Sequence, residues 1–331
     1  MPDLPYVSIL VAARNEETTI EACLNSLMAV SYPIDRFEIL IGNDASTDRT
    51  ASLVDAFMAD KPHIKLIDVA GSTSILNGKA NVLAQLASRA QGEFLFMTDA
   101  DVRVPITWLS GMLSHFTPTT GIVTGTTLVD GTSLWARLQA VEWLLAFGLI
   151  HLGTRLNLPL TGSGNNMAVR RTAYEAVGGF DGIPFSVVED YTLFQAIVRQ
   201  GYGYAHGLNV AVLAHTLPAP TLATYLQQRK RWMRGAFDLP ATLLGGVLFQ
   251  YLLVPFLLLV ALFAPTTALA IYLVKWMIQS TVFTWALQRT RQMHRWPDTI
   301  LYEPYQLVLG TLAMLYYLLP IPIRWKGRTY T

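Results

Sequence analysis

Charge is scarce in this chain of 331 residues: Asp, Glu, Lys and Arg together supply only 14%, where a typical soluble domain carries roughly 25%. Cysteine is reduced to Cys23 alone, which excludes a disulfide scaffold. The formal net charge is +1, so bulk electrostatics gives no reason to expect a nucleic-acid partner. Apolar side chains are what the chain has in abundance, 52% of the total. That excludes a disordered or collagen-like chain, and the length allows one large domain or two ordinary ones.

The charges are unevenly placed. Residues 241–331 hold seven of the 24 basic residues but only two of the 23 acidic ones, and the rest of the chain is mildly acidic. This asymmetry divides the chain into a catalytic head, 1–235, and an apolar, basic membrane portion, 236–331. Between Asp238 and Lys275 no side chain is charged, and about 20 apolar residues suffice to cross a bilayer as a helix. Three hydrophobic segments are expected as transmembrane helices, at about 241–263, 267–287 and 301–321. The second carries Lys275 near its middle, which is costly unless it snorkels or pairs. The third, interrupted by Pro304, Gly310 and Pro320, is read either as a span or as re-entrant. The basic loop Arg289–Arg295 belongs in the cytoplasm by the positive-inside tendency. The whole is therefore expected to be an integral membrane protein with its head on the cytoplasmic face, in a bacterial inner membrane. Val7–Ala13 is too short for a signal or anchor and reads as a strand.

In the head, strand-length apolar runs alternate with helical stretches. Strands are expected at Val7–Ala13, Phe37–Gly42, Ile64–Val69, Phe94–Thr98 and Gly121–Thr127. Helices are expected from an Asn15 cap to about Met28, from Ser46-Thr47-Asp48 to about Ala59, and over Gly78–Ala90. Such alternation predicts an α/β fold, a mostly parallel sheet with helices on both faces. Ligands of these sheets bind beyond the carboxyl ends of the strands, where Asp44, Asp99 and Asp101 all fall. A helix at about 132–152, with a short uncharged centre between Trp135, Arg137 and Arg155, reads as an amphipathic helix on a membrane surface or as a core helix.

Four constellations carry chemistry. Asp99-Ala100-Asp101 follows a strand, and two carboxylates at i and i+2 suit a hard divalent cation such as Mg²⁺ shared with phosphate oxygens. Lys79, in Asn77-Gly78-Lys79, opens a helix where free N–H groups favour anions. Glu189-Asp190 precedes the helix Tyr191–Gln200, where acidic residues either complement the dipole or offer a base. Gln228, Arg231 and Trp232 lie within about one helical turn. An amide, a guanidinium and an indole on one face suit diphosphate and sugar recognition, and a basic run there also suits a membrane anchor.

In this order, Val7–Glu17, Asn43-Asp44, Asp99-Ala100-Asp101, Glu189-Asp190 and Gln228-x-x-Arg231-Trp232, the head resembles family 2 glycosyltransferases. These are membrane-bound GT-A enzymes related to cellulose, chitin and hyaluronan synthases and to ceramide glucosyltransferases. The resemblance covers about residues 5–235. It implies a Rossmann-like GT-A domain and inverting sugar transfer that depends on Mg²⁺ or Mn²⁺. A nucleotide sugar, with a UDP-sugar favoured, would be the donor, and a lipid or glycan the acceptor. It also implies roles. Ala13, Arg14, Glu16 and Asp44 would bind the nucleoside, Lys79 and Asp99 would lie near the diphosphate or donor sugar, and Asp101, with Asp99 possible beside it, would hold the metal. Asp190 would be the base, while Gln228, Arg231 and Trp232 would close on diphosphate and acceptor. The segment Thr161–Asn166 stands where the family has its acceptor-side Gly-Ser loop, in different wording. A processive polysaccharide synthase is the alternative within the enzyme class. Outside it stands a membrane transporter or scaffold with a nucleotide-binding head.

Overall fold

Strands and helices alternate through the first hundred residues as the apolar periodicity requires. The computed structural model describes residues 4–69, 71, 76, 78–160, 163–236 and 241–330. In chain order the elements are β1 (Val7–Ala13), α1 (Ile20–Met28), β2 (Phe37–Asn43), α2 (Thr50–Met58), β3 (Ile64–Asp68), α3 (Gly78–Arg89), β4 (Phe94–Asp99), β5 (Val102–Arg103), α4 (Trp108–Leu113), β6 (Thr120–Gly125) and β7 (Thr127–Val129). There follow α5 (Leu134–Arg155), β8 (Asn166–Arg170), α6 (Arg171–Ala176), α7 (Glu189–Arg199), β9 (Gly203–Gly207), β10 (Ala214–Thr216), α8 (Leu222–Ala236), α9 (Ala241–Val260), α10 (Pro265–Arg289), α11 (Tyr302–Tyr305), α12 (Thr311–Leu318), β11 (Ile323–Trp325) and β12 (Arg328–Tyr330). They form two compact units, residues 1–128 with 150–216, and residues 129–149 with 217–331.

The first unit is built on a seven-stranded sheet of order β3-β2-β1-β4-β8-β6-β9. β1 runs parallel to β2 and β4, β2 to β3, and β6 to β9, while β8 runs antiparallel to its neighbours β4 and β6. Both faces are covered, which is why these strands read as continuous apolar runs. Val7, Ile9 and Val11 of β1 pack with Leu24 and Leu27 of α1 and Val54 of α2. Leu10, on the opposite face, packs with Leu83 and Leu86 of α3 and Leu193 and Ile197 of α7. The expected strand at Gly121–Thr127 is divided in two. At the break, Thr126 donates through Oγ1 to the Gly207 carbonyl at 2.8 Å, and its own carbonyl accepts from the Ala214 N–H at 2.9 Å. Those bonds turn the chain out of the large sheet and into a small one, β5-β10-β7.

His206 on β9 is buried, 3% exposed, with Nδ1 at 2.8 Å from the Thr124 hydroxyl. Burial, then the neighbouring His151 and His115, push its pKa down to about 3. The fold therefore holds this imidazole neutral, and the unfolded chain, titrating near 6.5, gains a proton first as pH falls. The stability it contributes is complete above about pH 6.5 and is lost progressively toward pH 3. The expected loss at pH 4.5 is about 2–3 kcal/mol. Thermal melting between pH 7 and pH 4 checks this: His206→Gln should flatten the curve, and an unchanged slope would refute the assignment.

In the second unit α5 is packed along most of its length. Ala136, Gln139, Ala140, Val141, Leu144, Leu145 and Phe147 are buried, while Leu134 and Leu149 are exposed. Arg137 on α5 forms a two-point ion pair with the buried Asp298. The expected membrane spans meet a different arrangement: among the described residues, no helix is long and apolar enough to cross a membrane. Lys275 and Gln279 on α10 both donate to Glu303, so the helix carries a polar cluster where the expected span had only an isolated lysine. The third segment follows a 3-10 stretch at Met293–Leu301 and is subdivided into the single turn α11, a π segment at Gln306–Gly310 and the short α12. Apolar side chains nonetheless stand open to solvent, among them Phe256, Leu259, Leu262, Phe263 and Ile278. Asp238, the start of the charge-free run, lies outside the described residues.

Candidate active site

The carboxyl ends of β2, β1 and β4 lie side by side, with Asn43 opposite Ala13 and Asp99 opposite Ala12. The turns leaving β1 and β2 are laced together. The Asp44 N–H donates to the Ala13 carbonyl at 2.9 Å. Arg14 donates through Nη1 to the Asp44 carbonyl at 2.5 Å and stands 4.0 Å from its carboxylate. The Glu16 N–H donates to Thr50 Oγ1 at 2.7 Å, and both Glu16 and Asp44 are buried. The expected Asn15 helix cap is absent, because Asn15 adopts a left-handed φ of +53° and its side chain accepts from the Thr47 N–H at 2.8 Å instead. α1 therefore begins later, at Ile20. Asp48 does act at the start of α2, accepting from the Thr50 N–H at 2.9 Å. Ala45 also has a positive φ, +51°. Two non-glycine residues in this sparsely populated region, one in each turn, store strain at the strand ends.

One step along the sheet, Lys79 in the first turn of α3 forms an ion pair with Asp99 and lies 3.6 Å from Glu189. Burial alone would lower the lysine pKa, but Asp99, Glu189 and Asp190 raise it above its ordinary value. This amine is a fixed positive charge, which suits a phosphate. Asp190, in the first turn of α7, accepts from the Gly164 N–H at 2.6 Å. A Cβ at Gly164 would come within 2.7 Å of the Asp190 Cβ, so only glycine fits there. The loop is held by Thr98, whose hydroxyl donates to the Asn165 carbonyl at 3.0 Å. Lys79, Asp99, Glu189 and Asp190 thus form one charged group, next to the turns bearing Ala13, Arg14, Glu16 and Asp44.

Asp99, the last residue of β4, and Asp101, two residues on, carry the hard carboxylate oxygens that Mg²⁺ or Mn²⁺ prefers. The donor type fits such an ion, and Asp99 is engaged by Lys79. Among the described residues, no group of three or more His, Cys, Asp or Glu side chains is assembled that could cage a metal without a substrate.

Gln228, Arg231 and Trp232 belong to the second unit, on α8. The Trp232 ring lies 5.5 Å from that of Trp143 on α5. Asn77, Thr161 and Gly162 lie outside the described residues. Glu189, read from sequence as a dipole partner or a base, proves to be the second carboxylate on Lys79. The bond from Gly164 to Asp190 and that from Arg229 to Glu142 were not expected. The Gly-Ser wording hinted at the first, but the second gives no signal, because its partner Glu142 is 87 residues away.

Residues 1–331 match the family described as Glycosyl transferase family 21. It is 28% identical over 239 residues to the beta-monoglucosyldiacylglycerol synthase of Synechocystis sp., which covers 71% of this chain and 48% of that protein. It is also 28% identical over 240 residues to the poly-beta-1,6-N-acetyl-D-glucosamine synthase of Staphylococcus aureus, covering 71% and 56%. The matches thus span about half the length of these relatives. Among solved structures it is similar to mannosyltransferase PcManGT from Pyrobaculum calidifontis in complex with GDP-Man and Mn²⁺, with a TM-score of 0.58 and 20% identity over 91% of this chain and 87% of that one. The α/β architecture is GT-A-like, with a mostly parallel sheet.

Proposed function

The chain belongs to glycosyl transferase family 21, and from that premise we propose that it moves a sugar from a nucleotide-diphosphate sugar, a UDP-sugar by preference, to the hydroxyl of a membrane lipid. The observation that carries this reading is the charged group at the carboxyl end of β4, where a carboxylate held by Gly164 sits beside a lysine paired with Asp99. Asp190 takes the proton of the acceptor hydroxyl as that oxygen bonds to the anomeric carbon. The bond from that carbon to the diphosphate breaks on the opposite side, so configuration inverts, and the nucleoside diphosphate leaves. Arg14, Glu16 and Asp44 hold the nucleoside. Lys79 stabilises the negative charge that develops on the diphosphate. A divalent ion, held by Asp101 with Asp99, would supply further charge neutralisation there.

The lipid acceptor is supported by the second unit. Its exposed apolar side chains on α9, on α10 and in the turn between them, where Phe263 is 89% exposed, form the kind of surface that marks a membrane or protein contact. We take the partner to be a bilayer, with the first unit facing the cytoplasm that supplies nucleotide sugars. The name of the Synechocystis relative is consistent with a diacylglycerol acceptor, whereas that of the Staphylococcus relative speaks for polymer synthesis. Membranes containing the enzyme, incubated with radiolabelled UDP-glucose or GDP-mannose and extracted with chloroform–methanol, separate the two. Label in the organic phase at a mass increment of one sugar is the expected result. Label confined to glycanase-sensitive, high-molecular-weight material would replace the lipid by a polymer, and no incorporation from either donor would remove the reading.

A further inference from the structure

α10 has two faces. Gln279, Phe283, Ala286 and Leu287 are buried, and Phe283 packs with Val141 and Tyr302 of the same unit. The other face is open, and an exposed groove of about 510 Å³ runs along it. Trp276 and Met277 line one end of the groove, Thr281 and Thr284 its middle, and Trp285 and Gln288 the other end. Polarity changes in one direction along this face. Before the groove stand the exposed Leu269, Leu273 and Val274, and beyond it the exposed Arg289 and Arg291. The Arg289 guanidinium lies over the Trp285 ring at 6.0 Å, at the polar end. The order hydrocarbon, hydroxyl, indole, guanidinium repeats that of one lipid leaflet from acyl chain through glycerol to phosphate.

The basic end keeps its sign. Residues 241–331 contain two acidic side chains, Asp298 and Glu303, and both are turned inward, the first to Arg137 and the second to Lys275. The charge this stretch shows outward is therefore positive, with His294 exposed close to the two arginines in the chain. We propose that the groove binds an anionic glycerophospholipid, with an acyl chain along Trp276 and Met277 and the phosphate at Arg289 and Arg291. Between them, the Thr284 hydroxyl and the Gln288 amide can donate to the ester oxygens. A guanidinium matches a phosphate with two parallel bonds. A choline headgroup would bring a second cation to this end, whereas a headgroup of net negative charge would not. The inference rests on the proposed reading that the apolar surface of this unit faces a bilayer, and not on sugar transfer.

The test is native mass spectrometry of the full-length protein in a mild detergent, incubated with equal amounts of dioleoyl-phosphatidylglycerol and dioleoyl-phosphatidylcholine. Phosphatidylglycerol is expected to bind about tenfold in preference, the effect of one or two cation–headgroup contacts. Arg289→Gln combined with Arg291→Gln should bring the two lipids within about twofold of each other. Both arginines are exposed, so the melting temperature should hold. Thr281→Trp, which fills the groove, should reduce the adducts of both lipids. Equal binding of the two lipids by the wild type, or a preference that survives the double variant, would overturn the proposal. Displacement of the lipid by glycerol phosphate would overturn it too, by showing a site for free phosphate. Protein that, once freed of detergent, floats with neither phosphatidylcholine nor phosphatidylglycerol vesicles would instead sink the bilayer reading, and the proposal with it.

Discussion

Replacing Asp190 by Asn is expected to lower sugar transfer about 10²–10⁴-fold, the usual contribution of a positioned general base, while the nucleotide donor still binds. The amide is isosteric, and its carbonyl oxygen can still accept the Gly164 N–H that holds Asp190 at 2.6 Å, so the loop contact survives although the bond from the Tyr191 N–H, 2.8 Å from the other oxygen, is lost, and basicity is lost with it. The lost carboxylate also removes one of three negative charges acting on Lys79. Asp99 and Glu189 keep that lysine charged, so diphosphate binding should be largely intact. Initial rates with a radiolabelled donor, set beside nucleotide titration of the same preparation, measure both halves. Near-normal turnover in the variant would show that another group takes the proton.

The second large effect concerns stability. Glu142→Leu should destabilise the protein by about 3–5 kcal/mol, because the buried Arg229 then keeps its charge with no counter-ion. Both partners are inside, with side chains 3% and 13% exposed, so water screens the loss poorly. The hydroxyls of Tyr225 and Tyr305, now directed at Glu142, lose their acceptor as well. Adding Arg229→Met removes the orphaned cation, and the double variant should be less destabilised than the single one, because an apolar pair of similar volume avoids burying charge. Denaturant midpoints for the wild type, both single variants and the double form the cycle. A single variant costing less than about 1 kcal/mol would place the pair among those that water solvates.

Much of the first unit was legible because its signals are local. β1, β2 and β4 are buried on both faces, and such strands leave unbroken apolar runs that end where polar turns begin. Asp44, Asp99 and Asp101 fell at strand ends for the same reason, and Glu189-Asp190 at a helix start. Where a local signal competed with tertiary bonding, the latter prevailed. Asn15 looks like a helix cap, yet it serves the neighbouring turn across 32 residues, and the apolar run ending at Thr127 is split by bonds to Gly207 and Ala214.

The hydrophobic tail shows the limit of composition. A charge-free run of span length states that side chains avoid water but not how the backbone will divide it. Nor does it show that Lys275 has a partner, Glu303, 28 residues on. Sequence by itself determined the alternating α/β order, the strand-end carboxylates, the motif on α8 and the apolar character of the tail, since each depends on neighbours within a few residues. Only the tertiary structure decided that Lys79 stands between Asp99 and Glu189, that Gly164 holds Asp190, and that Glu142 pairs with the buried Arg229. Those pairings join residues tens of positions apart, and they arise where packing removes water and leaves each charge to find its partner in the protein.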